Sequence, residues 1–166
     1  MHARSYLVGQ QITLPVYPSI YEPQTVADLK ARIEKLQPDS PRRWGKMDVA
    51  QMLAHCNVAF ELTYGEKEVQ YNFLMKLFLK AFVKKQVVGP KPYPRNGQTA
   101  PVFVIADERD FAKEKTRLLA YLDRMQAEGA TAYEGRESPS FGPMTAEEWS
   151  VQFVKHLDHH LQQFGV

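Results

Sequence analysis

Residues 145–165 constrain the fold more than any other stretch. Thr145 and Glu148 stand three apart, as a reciprocal capping box at a helix start requires. Gly165 supplies the matching stop. Between them Trp149, Phe153, His156, His160 and Phe164 recur at steps of three and four, so at about 100° per residue they share one stripe. A helix with so bulky an aromatic stripe has to bury it against other elements, and His156 and His160 turn inward with it.

The remaining sequence offers helices to receive that stripe. Thr25 can cap a helix over 26–36, with Val26, Leu29, Ile33 and Leu36 at helical spacing, before Pro38 and Pro41 break the chain. A second helix is expected over 48–64, capped by Asp48 and stopped by Gly65. Met52, Cys56, Ala59 and Thr63 line one side of it, with Leu53 and Phe60 beside them. A third, apolar helix over 71–87 ends before Gly89-Pro90-Lys91-Pro92, and that segment with Pro94-Arg95-Asn96-Gly97 reads as a loop. The run Val102-Phe103-Val104-Ile105 is open between a short strand and packed coil. A further helix over 110–127 carries Leu118, Leu119, Leu122 and Met125 and stops at Gly129. Ile12, Leu14 and Val16, with Pro15 and Pro18, read as an extended lead-in. The expectation is all-α: a helix bundle with little strand, and with 166 residues, 44% of them hydrophobic, one domain over 1–166.

Charge and composition remove several function classes. A formal net charge of +2 is too balanced for nucleic acid as the main partner. No apolar run approaches the roughly 20 residues that span a bilayer. Residues 1–11 lack a basic region followed by an apolar stretch, so no secretory signal is read there. The single cysteine, Cys56, excludes an internal disulfide, and a reducing, cytoplasmic setting is expected. Neither a glycine-rich phosphate loop nor a Gly-x-Ser-x-Gly elbow occurs.

The chemistry lies with the histidines. A four-residue step puts the imidazoles of His156 and His160 one turn apart and about 40° apart around the axis, so both can reach one metal ion. The pair is not the zincin motif, because Leu157 stands where that motif needs glutamate. His159 lies on the other side of His156 and is open between a spare ligand, a supporting group and a solvent-facing residue. A third ligand has to come from elsewhere, and His55 sits on the second helix between Met52 and Ala59. Three histidines with an open position make a catalytic rather than a closed structural metal site. The same spacing also suits histidines that are hydrogen-bonded in a core or partly solvated, and spacing alone does not choose. His2 is given no role.

Arg43-Trp44-Gly45-Lys46-Met47-Asp48-Val49-Ala50-Gln51-Met52-Leu53-Ala54-His55 resembles the second-helix signature of the DinB/YfiT superfamily. So does Phe141-Gly142-Pro143-Met144-Thr145-Ala146-Glu147-Glu148-Trp149 with the later run from Lys155 to Phe164. The resemblance implies a four-helix bundle of DinB/YfiT type, here with an extra helix and irregular loops. It also implies a divalent metal, zinc or nickel, on His55, His156 and His160. Relatives in that superfamily include transferases and isomerases that act with low-molecular-weight thiols. The expected function is therefore a divalent-metal-dependent transferase, isomerase or hydrolase acting on a small electrophilic molecule, with a thiol as candidate co-substrate. The alternative is a non-catalytic metal-binding or small-ligand-binding stress-response bundle. Asp158 and His159 are the nearest candidates for a base, and catalytic residues stay unassigned.

Three other features carry weaker readings. Cys56 is expected as a small core residue, since one residue from His55 is about 100° of rotation. Lys76, Lys80 and Lys84 repeat at four-residue steps on the helix bearing Phe73, Leu74, Leu77, Phe78 and Phe82. A membrane-surface helix would look like this, but a solvated lysine face over a core-facing or dimer-facing side is the expectation, which makes a homodimer a candidate. Arg42, Arg43 and Lys46 are open between contacting an anionic substrate and a solvated approach to the second helix.

Overall fold

The computed structural model describes residues 17–166; His2 and most of the proposed lead-in lie outside them. The described residues are mostly helical, with one small hairpin.

Helix α1 spans Pro23–Glu34. Proline suits a first turn, where its missing N–H would have no partner in any case. Pro23 therefore starts the helix earlier than a Thr25 cap would. Glu22 takes the cap position without a side-chain bond, and Thr25 is buried inside the helix. Helix α2 spans Val49–Tyr64 and begins at the expected cap: Asp48 accepts from the Gln51 N–H, and Gln51 returns a bond to the Asp48 N–H. It ends on Gly65 at φ 72°, the left-handed stop that glycine adopts without strain.

The expected third helix is interrupted. Asn72 caps α3 over Phe73–Phe78, Leu79–Val83 form a π turn, and α4 resumes over Lys84–Val88. The extra residue of a π turn rotates the later turns of the helix relative to the earlier ones. Leu79, Val83, Val87 and Val88 pack on the core, while Phe73, Leu74, Leu77, Phe78 and Phe82 remain exposed. One apolar side of this arm thus faces the core, as expected, while a second apolar set faces outward. Of its lysines, Lys84 pairs with Glu148 at 2.7 Å.

Residues 102–105 are not a strand. Pro101–Phe103 make one 3-10 turn, and Ile105 packs against Ala54 and Val58. Helix α5 spans Phe111–Glu128 under an Asp110 cap. Strands β1 (Arg136–Ser138) and β2 (Gly142–Met144) pair antiparallel, with Arg136 opposite Met144. Three-residue strands containing Gly142 and Pro143 leave no alternating pattern to read. Helix α6 spans Ala146–Gln163, with the Thr145–Glu148 capping box in place.

The four long helices enclose the core: α1 and α2 each pack against both α5 and α6. Phe60 stacks between Tyr121 and Phe153, with ring centroids 5.2 and 4.3 Å away. Trp149, Phe153 and Phe164 are all buried, so the α6 stripe does face inward. That placement points His156 and His160 of α6 toward His55 of α2.

Candidate metal centre

His55 lies two turns into α2, and its neighbours Met52, Leu53, Cys56 and Ala59 are buried. His156 and His160 lie one turn apart near the end of α6. The three rings meet edge to face, with centroids 4.9 Å apart for His55–His156, 4.5 Å for His55–His160 and 4.8 Å for His156–His160. One nitrogen from each falls within 4.8 Å of the others. His55 and His160 are buried and His156 is partly accessible. No Cys, Asp or Glu joins the group among the described residues.

Hydrogen bonds fix two of the rings. His55 Nδ1 lies 2.9 Å from the Phe103 carbonyl oxygen, which only accepts, so Nδ1 carries the hydrogen and Nε2 presents a lone pair. His160 Nδ1 lies 2.8 Å from Gln163 Oε1. The Gln163 amide is itself oriented, because its Nε2 donates to the Trp44 carbonyl at 2.8 Å. Its oxygen must therefore face His160, whose Nδ1 donates and whose Nε2 lone pair is freed. Anchoring the outer nitrogen while the inner one faces a common centre is how metal-ligating histidines are oriented. His55 Nε2 and His156 Nε2 lie 2.9 Å apart. Two ligands at about 2.05 Å from a tetrahedral ion would sit ~3.3 Å apart, so a few tenths of an ångström accommodates one.

Burial holds all three imidazoles neutral, the state in which they ligate. The His160 pKa is pushed down to about 3 by burial and by nearby His55, against an upward pull from Gln163. Burial, then the neighbouring histidines, push His156 well below its ordinary value. His55 is lowered by burial despite its bond to Phe103.

The other sequence candidates fall outside this group. His159 stands beside it, its ring 5.0 Å from His160, 5.7 Å from Trp44 and 5.8 Å from Tyr93. It lines a pocket of about 160 Å³ with Trp44, Tyr93, Arg95 and Lys155. Asp158 is engaged by Arg32 at 2.9 Å and by Gln162 at 2.7 Å. Cys56 is buried with Sγ 3.7 Å from Met52 Sδ, and burial pushes its thiol pKa up. A larger cavity, of about 450 Å³, lies between Tyr17, Tyr21, Val88 and Ser150 and includes none of the histidines.

Sequence reasoning missed Gln163, the Phe103 carbonyl and the segment at Trp44. Gln163 lies three residues after His160, on the same helix face, and that spacing is the signal that could have found it. Two members of the basic cluster before α2 are tied to nearby carbonyls, the Arg43 guanidinium donating to the Gly165 carbonyl at 3.4 Å. The Arg43 N–H donates to the Gln163 carbonyl at 2.7 Å, and the Arg42 guanidinium donates to the Gly45 carbonyl. Gly45, at φ 81°, lets the backbone pass so close that a Cβ there would overlap Gln163 Nε2.

No curated protein and no solved structure matches this chain. The resemblance to the DinB/YfiT superfamily is corrected by the family comparison, which finds a distinct family and does not show that superfamily. Both stretches that carried it are helix starts with capping chemistry followed by amphipathic helix, and such chemistry recurs across unrelated bundles. Residues 24–165 match one family across most of the chain, and the protein belongs to that family, described as "Protein of unknown function (DUF1569)".

Proposed function

We propose that the chain binds one divalent ion, zinc or nickel, through Nε2 of His55, His156 and His160, and that the ion serves a hydrolytic or group-transfer reaction on a small electrophilic molecule. The observation that carries this reading is the convergence of three neutral imidazoles, two with their outer nitrogens bonded to Phe103 and Gln163. A nitrogen donor set without thiolate suits zinc or nickel. Held by three protein ligands, such an ion supplies Lewis acidity and activates water in its remaining position. His55 and His160 would hold their share of the site rigidly, whereas His156 has no anchor on Nδ1 among the described hydrogen bonds. Partial exposure of His156 supports access from solvent. His159, half-buried beside His160, is the nearest group able to take up a proton. The thiol co-substrate was implied by the corrected resemblance alone, and no described residue supports it.

Metal analysis of purified protein, after chelation and reconstitution with zinc, nickel or cobalt, tests the reading. About one ion per chain is expected, lost in His55→Ala and His160→Ala and retained in His159→Ala. Cobalt-loaded protein should show visible bands that shift when azide occupies an open position. Unchanged metal content in His55→Ala and His160→Ala rules out the centre. Bands insensitive to azide would leave a closed, structural ion and rule out the reaction.

A further inference from the structure

The arm formed by α3, the π turn and α4 holds nearly all the exposed large apolar side chains among the described residues. Phe73, Leu74 and Phe82 are 77%, 73% and 70% exposed, and Met75, Leu77 and Phe78 join them; Val104 alone lies elsewhere. This is a concentrated patch rather than the scattered exposure that any protein shows. The arm is firmly seated. Its Leu79, Val83, Val87 and Val88 pack on the core. Buried Lys155 of α6 donates to the Gln86 and Gly89 carbonyls at 2.6 and 3.0 Å, holding the end of α4. The outward set of aromatic and aliphatic side chains is thus presented by a fixed scaffold.

Charge identifies what covers it. Between residues 69 and 106 the chain has six cationic side chains, Lys76, Lys80, Lys84, Lys85, Lys91 and Arg95, and none of its 19 Asp and Glu. Lys76, Lys80 and Lys85 are exposed and belong to no ion pair among the described residues. A second copy on this face would set one uncompensated cationic segment against another. Residues 1–16 contain Arg4 and no acidic residue, so they cannot neutralise it either. A bilayer surface containing anionic phospholipid supplies both missing partners, acyl chains for the Phe and Leu side chains and negative headgroups for the lysines. Sixteen helical residues, Phe73 to Val88, lie about 24 Å along such a surface. No helix among the described residues is long and apolar enough to cross a membrane, and lying in the interface requires no crossing. We propose that this arm docks the protein on anionic phospholipid membranes, against the expectation of a lysine face over a dimer seam.

Flotation of the full chain with vesicles tests this, comparing pure phosphatidylcholine with phosphatidylcholine containing phosphatidylglycerol. Binding is expected only with phosphatidylglycerol, and it should weaken as salt is raised. Leu74→Ser with Phe78→Ser should abolish it. Lys76→Gln with Lys80→Gln should weaken it by roughly thirtyfold, at about one lysine's worth of surface attraction each. These side chains are exposed, so circular dichroism of both variants should match the parent. Absence of binding, equal binding to pure phosphatidylcholine, or binding unchanged in both variants overturns the proposal. So does a dimer, seen by sedimentation, that Leu74→Ser with Phe78→Ser dissociates, since a second copy then owns the face. Binding gained only after removal of residues 1–16 overturns it for the full chain.

Discussion

The Gln163 amide meets two partners that leave it one orientation, the Trp44 carbonyl on its nitrogen side and His160 Nδ1 on its oxygen side. An anchor of this kind typically changes metal affinity by about 10–100-fold when removed. Gln163→Ala should therefore lower zinc affinity within that range, read by competition with a chromophoric chelator, while one ion per chain still binds at saturation. Gly45→Ala reaches the same amide from outside. Its methyl would overlap Gln163 Nε2, and its backbone would be held at φ 81°, so a stability loss of roughly 1–3 kcal/mol with weaker zinc binding is expected. A melting temperature and zinc affinity both equal to the parent's would show that the segment at Trp44 does not position His160. His156 and His160 were legible because a repeat on an aromatic stripe has to face inward, whereas His55 was only a candidate between Met52 and Ala59 of the second helix. The carbonyls of Phe103 and Trp44 were not, because every residue has one and only tertiary packing selects which is used.

At the scale of elements, helix ends with reciprocal side-chain chemistry were readable, and ends without it were not. Thr145–Glu148 and Asp48 marked the starts of α6 and α2, whereas α1 begins at Pro23 with no side-chain bond to signal it. The π turn at Leu79–Val83 has no sequence signature of its own, since its residues suit an α-helix equally well. The hairpin was missed because its strands are three residues each. Asp48→Ala removes the cap of α2 two turns before His55. It should cost about 1 kcal/mol in thermal or urea unfolding and leave zinc stoichiometry unchanged. Lys155→Met removes the donor held by the Gln86 and Gly89 carbonyls. Faster hydrogen exchange in residues 84–89 is expected there, at a cost of about 1–3 kcal/mol for the stranded carbonyls. Exchange in that segment unchanged from the parent would mean the core-facing valines alone hold the arm.

Across the whole molecule, three neutral imidazoles, His55 and His160 buried and His156 partly so, couple acid to folding. In the unfolded chain each binds a proton near its ordinary pKa of about 6.5. In the folded, metal-free protein burial lowers all three, His160 to about 3. Below about 6.5 the unfolded state therefore binds more protons than the folded one, and stability falls as pH falls. The contribution is fully present above about 6.5 and is lost as the pH drops toward the folded-state values. Carboxylates act lower. Arg109 holds Asp107 below its ordinary value; burial raises Glu128, but hydrogen bonds from Tyr133 and Arg124 outweigh it. Their losses begin near the ordinary carboxylate range, about pH 4–4.5, so the interval between about 5 and 6.5 isolates the histidines. Urea unfolding of metal-free protein at fixed ionic strength should show stability declining across that interval, with a shallower slope in His160→Gln. Zinc at 100 times its dissociation constant should add about 2.7 kcal/mol at neutral pH, and because the folded imidazoles stay neutral this increment should change little over the same interval, even as the metal-free stability declines. A metal-free protein whose stability is flat or rises on acidification from 6.5 to 5 would mean that the imidazoles are not held neutral. An increment from zinc that collapses between pH 6.5 and 5 would show protons competing for Nε2 in the folded protein, and so that burial does not hold His55, His156 and His160 neutral.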